Sequence, residues 1–215
     1  MSTVVAIDGP AGAGKSTVAK LLSDKLGFTY VNTGSLYRAV ALALKSQNMT
    51  VEDVTADFLA GLRLEYVKGV LLVNGVDPGA ELRTAEVAAA ASKVSKLQIV
   101  RDSLLPVQRE TARKGWIVME GRDIGTVIFP DAKCKFFVTA SLEARARRRL
   151  AQQGEITSGS TLEDVMRDIA MRDEQDSKRE LAPLKAADDA VVIDTGNMTP
   201  EQVVNFMAKT IIKAM

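Results

Sequence analysis

The sequence predicts an α/β domain built around a parallel sheet, and three observations carry that prediction. Short β-branched runs alternate with helical periods through most of the chain. The first of these runs, Val4-Val5-Ala6-Ile7, passes straight into a glycine-rich loop and then a helical stripe. The length of 215 residues suits one large domain, or one domain with an insert, and suffices for a core without metal or disulfide staples.

Taken in order, Val4-Val5-Ala6-Ile7 is a buried strand. After the loop, Val18, Leu21, Leu22 and Leu26 fall at helical spacing, and Gly27 stands where a helix C-terminal glycine belongs. Phe28-Thr29-Tyr30-Val31 reads as the second strand. Thr33-Gly34-Ser35 then leads into a helix carrying Leu36, Val40, Ala43 and Leu44. The pattern changes over 62–76. Leu62, Leu64 and Tyr66 alternate with polar neighbours, Lys68-Gly69 breaks the run, Val70 to Val73 follows, and Asn74-Gly75 is a strong hairpin-turn signal. A small antiparallel insert is expected there. Residues 81–114 are Ala-rich and helical, read as two helices with Pro106 marking a kink or a break. Trp116-Ile117-Val118-Met119 and Lys135-Phe136-Phe137-Val138 are further core strands, and Arg145 to Gln152 is helical. Gly154 to Ser160 is the most flexible-looking stretch of the sequence. A helix from about Thr161 to Arg179, a last strand at Val191-Val192-Ile193 and a last helix from Pro200 to Ala214 complete the pattern.

Composition removes whole classes of chemistry. With no histidine, His triads, His metal centres and His acid/base pairs are excluded, and the single cysteine, Cys134, excludes an internal disulfide and a thiolate-rich metal site. Lys plus Arg is 28 against 27 Asp plus Glu, a balance that argues against a protein coating nucleic acid or an anionic membrane. No apolar run is long enough to span a bilayer, and the start lacks the basic and apolar regions of a signal peptide. A soluble cytoplasmic protein is expected.

Gly9-x-x-x-x-Gly14-Lys15-Ser16 satisfies the P-loop pattern between a strand and a helix, the context that gives such a match meaning. Small residues at 11 to 14 let successive backbone N–H groups turn toward one anion, and the helix start adds its positive dipole end. Lys15 is placed to bridge the β- and γ-phosphates and the Ser16 hydroxyl to ligate Mg²⁺. No guanine-reading Asn-Lys-x-Asp occurs. Helicases and motors need a long nucleic-acid or filament surface that the neutral charge does not support. What remains is a compact kinase.

Moving a phosphoryl group onto another phosphate gathers several negative charges, so cations are needed around the acceptor as well as the donor. Four places offer arginines. Arg38, in Thr33-Gly34-Ser35-Leu36-Tyr37-Arg38, lies one turn into a helix that starts at a strand's carboxyl end. Gly121-Arg122-Asp123-Ile124-Gly125-Thr126 follows another strand. In the helix after the flexible stretch, Leu162, Val165, Met166 and Ile169 form an apolar stripe that continues as Arg172, Asp173 and Asp176, with Arg179 one turn on. That end either walls a polar cleft or is a solvated i,i+4 pair. Arg145, Arg148 and Arg149 share a face before the flexible stretch, as a lid with cationic hinges would require, with a solvated basic face as the competing reading.

In these motifs the sequence resembles the bacterial cytidylate kinases, the (d)CMP kinases of the nucleoside monophosphate kinase superfamily, and the likeness covers essentially its whole length. The likeness rests on Ile-Asp-Gly-Pro-Ala-Gly-Ala-Gly-Lys-Ser, Thr33-Gly34-x-x-Tyr37-Arg38, Gly121-Arg122-Asp123-Ile124-Gly125-Thr126-Val127-x-Phe129-Pro130, and Arg172-Asp173-x-x-Asp176-Ser177-x-Arg179-Glu180-x-Ala182-Pro183-Leu184. Two departures are visible: Asn32 stands where many members carry Asp, and Gly154 to Ser160 matches no close lid sequence.

The resemblance implies a P-loop kinase with a central five-stranded parallel sheet flanked by helices. It also implies an acceptor-binding subdomain at about 33–113 with a β insert at about 62–80, a lid at about 150–165, and a core at about 1–32, 114–149 and 180–215. ATP would bind along Gly9, Pro10, Ala11, Gly12, Ala13, Gly14, Lys15, Ser16 and Thr17, with Mg²⁺ on Ser16. Lys15, Arg122 and Arg179 would be catalytic. Arg38, Arg122 and Arg179 would hold the acceptor phosphate, Arg172 and Asp176 the ribose, and Ser92, Arg101 and Asp123 the cytosine edge, with Thr33 and Tyr37 also lining the acceptor. The implied reaction is phosphoryl transfer from ATP to CMP or dCMP by a monomer without a nucleic-acid or membrane partner. A P-loop kinase for another small acceptor such as UMP, and a nucleotide-dependent switch protein using Arg145 to Arg149 on nucleic acid, are the competing readings.

Overall fold

A computed structural model describes residues 3–151 and 159–214. Its centre is a five-stranded sheet of β1 (Val4–Asp8), β2 (Thr29–Asn32), β5 (Ile117–Glu120), β6 (Cys134–Thr139) and β7 (Val191–Asp194), in the order β2-β5-β1-β6-β7 with every pairing parallel. All five residues of β1 are buried, because helices cover both faces. Val4 and Ala6 face one core with Val31, Ile117 and Met119, while Val5 and Ile7 face the other with Val118, Phe136 and Val138. That two-sided burial is why the strands read as continuous apolar runs rather than alternating ones.

One face is covered by α1 (Lys15–Leu26) and α8 (Pro200–Ala214), whose Val18, Leu22, Met207 and Ile211 are buried. The other carries α2 (Thr33–Ser46), α3 (Ala56–Ala60), α4 (Ala85–Val94) and α5 (Gln98–Arg113), with Leu36, Val94, Val100 and Leu104 packed inward. On the far side of the sheet order, α6 (Leu142–Leu150) and α7 (Leu162–Lys178) pair through Ala146, Val165 and Ile169. The chain leaves β1 toward β2 on one side and later returns to β6 on the other, so the sheet order reverses at the carboxyl end of β1. That is where open α/β sheets hold ligands.

Several expectations shift. Phe28 and Trp116 lie just outside their strands and stack on each other, 5.2 Å between ring centres. The insert is the pair β3 (Leu64–Val67) and β4 (Val70–Val73), and its turn is Lys68-Gly69 rather than Asn74-Gly75. Both turn residues have positive φ, 50° and 80°. A lysine pays no visible signal for that conformation, so the sequence points instead at Asn74-Gly75, which forms a second tight turn closed by Val73 and Val76. Pro106 neither breaks nor ends a helix: α5 runs through it, and the interruption comes at 95–97. Pro106 and Asp102, whose carbonyl loses its partner, are both exposed, so water replaces the missing bond while Leu104 and Gln108 stay buried. Part of the stretch expected to be the lid, residues 152–158, lies outside the described residues.

Candidate active site

At the end of β1 the chain makes the P-loop. Gly9, at φ 149°, passes so close to β6 that a Cβ would fall 2.0 Å from the Val138 carbonyl oxygen, and Gly12 and Gly14 have φ of 73° and 88°. Gly14 precedes α1 without a capping side chain, and the first turn of α1 carries no acid. Side chains cap α2, α3, α4, α6 and α7, whereas α1 and α5 start without one; of these two only α1 follows a glycine loop at the end of a strand, where free N–H groups suit an anion. Ser16 and Thr17 are exposed at its mouth. Lys15 is buried, its ammonium donating to the Pro10 carbonyl oxygen at 2.7 Å. Burial, aided by the Arg122 charge, brings its pKa down from 10.5 to about 7.

The loop is braced from behind. The Asp173 carboxylate accepts from the Ala11 N–H at 3.2 Å and pairs with Arg145, which also donates to the Ala11 and Ala140 carbonyl oxygens at 3.0 Å each. Arg148 donates to the Thr195 hydroxyl and carbonyl oxygens at 2.9 and 2.7 Å. Arg145 and Arg148 therefore tie α6 to the P-loop and to Thr195 instead of forming a solvated basic face. Helix α6 starts right after β6, beside the P-loop, so arginines three apart on its face meet the loop's carbonyls.

Across the cleft the acceptor candidates join into a chain of alternating charge. Arg101, on α5, pairs with Asp123, which follows β5; Arg179, just past α7, lies 3.8 Å from both Asp123 and Asp176; and Arg122 Nε donates to Asp176 at 3.0 Å. Arg101 also reaches the Ser95 carbonyl oxygen at 3.3 Å and sits 5.9 Å from the Tyr37 ring centre. Burial pushes the Tyr37 phenol up to about 12. Ser92 is half-buried on α4, one turn before Ser95, and Arg38 donates to the Leu82 carbonyl oxygen at 3.3 Å. The Thr33 hydroxyl donates to the Glu120 carbonyl oxygen at 2.8 Å, which ties α2 to the end of β5.

Positive charge is in excess where the two sides meet. Burial and the neighbouring Arg122 charge lower the Arg172 pKa to about 10, with Arg149 and Arg38 adding to the effect against Asp176. Two buried donors, Arg172 Nε and Arg179 Nη2, have no hydrogen-bond partner among the described residues. Buried donors are normally satisfied, so such a cluster suits an anionic ligand.

The sequence assigns no role of their own to three acidic residues of this region. Asp8 ends β1, Asp173 braces the P-loop, and Glu120 ends β5, where it accepts from the Tyr30 hydroxyl at 2.6 Å. Ser16 lies beside the Tyr30 phenol, which burial and Glu120 hold well above the usual range. A carboxylate and a hydroxyl around one phenol suit a hard, oxygen-seeking cation that keeps most of its waters. Asp8 and Asp173 lie within motifs that the sequence singles out, though without the contacts seen here; Glu120 carried no signal. A separate cleft of about 640 Å³ between α2, α3 and β4, lined by Leu42, Phe58, Leu62 and Val73, is remote from these residues.

A family model described as cytidylate kinase matches residues 5–213. The chain is 45% identical over 218 residues to a cytidylate kinase of Thermotoga maritima, covering 100% of this chain and 99% of that relative. It is 44% identical to a cytidylate kinase of Geobacter sp. strain M21 over 97% of this chain and 92% of the relative. The crystal structure of an uncharacterized protein from Eubacterium ventriosum shares the fold at 13% identity, with a TM-score of 0.56 over 97% of this chain and 98% of that one.

Proposed function

The chain belongs to the cytidylate kinase family, and on that premise we propose that it transfers the γ-phosphoryl group of ATP to CMP or dCMP, giving ADP and CDP or dCDP. The observation that supports this reading best is the pair of buried guanidinium donors, Arg172 Nε and Arg179 Nη2, that have no hydrogen-bond partner among the described residues, in a fold that also leaves the start of α1 uncapped. Two polyanions approach each other only where guanidinium and backbone N–H groups take up their charge.

The residues divide the work as follows. The loop from Gly9 to Thr17 holds the donor phosphates, and Lys15 leaves the Pro10 carbonyl to reach them. Arg38, Arg122 and Arg179 hold the acceptor phosphate, with the orphaned donors of Arg172 and Arg179 turned to ligand oxygens. Arg172 and Asp176 hold the ribose. Asp123, Arg101 and Ser92 read the cytosine edge, where a carboxylate takes the exocyclic amino donor and a guanidinium faces the ring acceptors. An acceptor phosphate oxygen, ionised near neutral pH, then attacks the γ-phosphorus in line. The bond to the β,γ-bridging oxygen breaks and ADP leaves with its electrons, so no general base is required and the absence of histidine is no obstacle. Mg²⁺, held by the Ser16 hydroxyl near the Glu120 carboxylate, would neutralise charge on the donor phosphates. The same reading has the enzyme working as a monomer in the cytoplasm. Among the described residues no helix is long and apolar enough to cross a membrane.

Acceptor-stimulated ADP release with CMP, dCMP, UMP, AMP and shikimate tests the reading. Stimulation greatest with CMP or dCMP is the expected result, and stimulation greatest with another acceptor contradicts it. In the same assay Asp123→Ala is expected to raise the KM for CMP about tenfold or more, the loss of one bidentate base contact, with a smaller change for ATP.

A further inference from the structure

The turn that carries Arg122 and Asp123 is capped from a distant strand. After β5 the chain makes a single π turn at Ile124–Ile128, with Asp123 at its N-cap position. Aspartate is among the best capping residues, because its carboxylate can take the turn's first free N–H groups. Asp123 does not do so here: it makes no side-chain cap and turns instead to Arg101 and Arg179. The Asp8 carboxylate takes its place. Its two oxygens accept from the Ile124 and Gly125 N–H groups, each at 2.8 Å, and Asp8 is 5% exposed. The approach is close because residue 125 is glycine: a Cβ there would meet the Lys135 side chain at 3.1 Å and Asp8 Oδ2 at 3.4 Å.

From this geometry we infer that Asp8 is a specificity-positioning residue, a cap supplied by β1 that frees the Asp123 carboxylate to recognise the base. The inference rests on the proposed cytosine-reading role of Asp123 and deepens it. Without the Asp8 oxygens, Asp123 is the carboxylate placed to cap its own turn, and capping draws it away from Arg101 and the ligand. Selection between bases then suffers more than donor binding. Titration perturbs the same contact without a mutation. Burial raises the Asp8 carboxyl from 3.8 to about 6, against the two backbone N–H groups; Asp123 on the turn adds to the rise and Lys15 on α1 opposes it. The Lys135 stem on β6 packs on the same turn. Protonated Asp8 presents a hydroxyl donor to one of the N–H groups and loses half of the cap.

The test is the ratio of kcat/KM for CMP to that for UMP, measured from pH 5.5 to pH 8 in the wild type and in Asp8→Asn. Both acceptors carry the same phosphate, so its own ionisation cancels in the ratio. The ratio is expected to fall about tenfold in Asp8→Asn, the lower end of what one bidentate base contact contributes, with the KM for ATP near the wild-type value. In the wild type it should drop as pH falls through about 6, and in the variant it should be flat across that range. A folded Asp8→Asn that keeps the wild-type ratio overturns the inference, as does a parallel loss with both acceptors. If the variant does not fold, a wild-type ratio constant from pH 5.5 to 8 overturns it. A wild type with no preference for CMP overturns instead the base-reading role on which the inference rests.

Discussion

Lys15 is where the fold acts most directly on the charge of a single group. Lys15 is 6% exposed, its ammonium donates to one carbonyl oxygen, and burial followed by the Arg122 charge brings its pKa to about 7. Donor phosphates favour the charged form, so the pKa rises when they bind. At pH 8, above the phosphates' own titration, ATP binding should therefore take up a proton, and affinity should weaken as pH rises further. Calorimetry in buffers of different ionisation enthalpy reads this directly: uptake approaching one proton is expected in the wild type and none in Lys15→Met. Equal values in the two proteins contradict the assignment. At this scale the sequence was legible where chemistry follows spacing, as in Gly9 to Ser16, Arg38, Arg122 and Arg179. Arg101 and Ser92 sit on ordinary helical faces, and only family resemblance points to them. Asp8 and Asp173 fall inside recognisable motifs, yet their partners, like that of Glu120, lie far away in the chain, so no local pattern marks their roles.

Helix α7 acts as a strut between the two halves of the site. It presents Arg172 and Asp176 to the acceptor side and, on adjacent positions, Asp173 to the P-loop. Asp173→Ala leaves the Ala11 N–H and the largely buried Arg145 guanidinium without their partner. A loss of about 2–4 kcal/mol of stability is expected in urea unfolding. The KM for ATP should rise more than that for CMP, because the bracing contact is with the donor loop. Helix α5 supplies an opposite case. Pro106→Ala restores a backbone bond to the exposed Asp102 carbonyl, and after allowance for the freer unfolded chain it should stabilise the protein by about 1–2 kcal/mol. Unchanged or reduced stability in that variant contradicts the account of α5. Elements were readable where an apolar stripe or strand ran its course. They were misread where a rule concerns isolated chains: a break at a proline in a helix that tertiary burial sustains, and lysine in a left-handed turn.

For the molecule as a whole, the sheet order is what brings chemistry from distant parts of the chain together. Parallel pairing puts the ends of β1, β2 and β5 side by side, so that Asp8, Asn32 and Glu120 border the P-loop, and the turn after β5 delivers Arg122 and Asp123. The alternation of strand and helix predicts such a sheet, because only crossover helices join parallel neighbours. The alternating chain from Arg101 to Arg122 was beyond that reach, since it joins α5, the turn after β5 and α7 across 22 and 54 residues. The most direct measurement is a crystal structure with CMP and a non-hydrolysable ATP analogue. The account predicts the donor phosphates on the first turn of α1, the CMP phosphate among Arg38, Arg122, Arg172 and Arg179, and the pyrimidine beside Arg101 and Asp123. A CMP phosphate remote from those arginines, or a pyrimidine bound elsewhere, would contradict it.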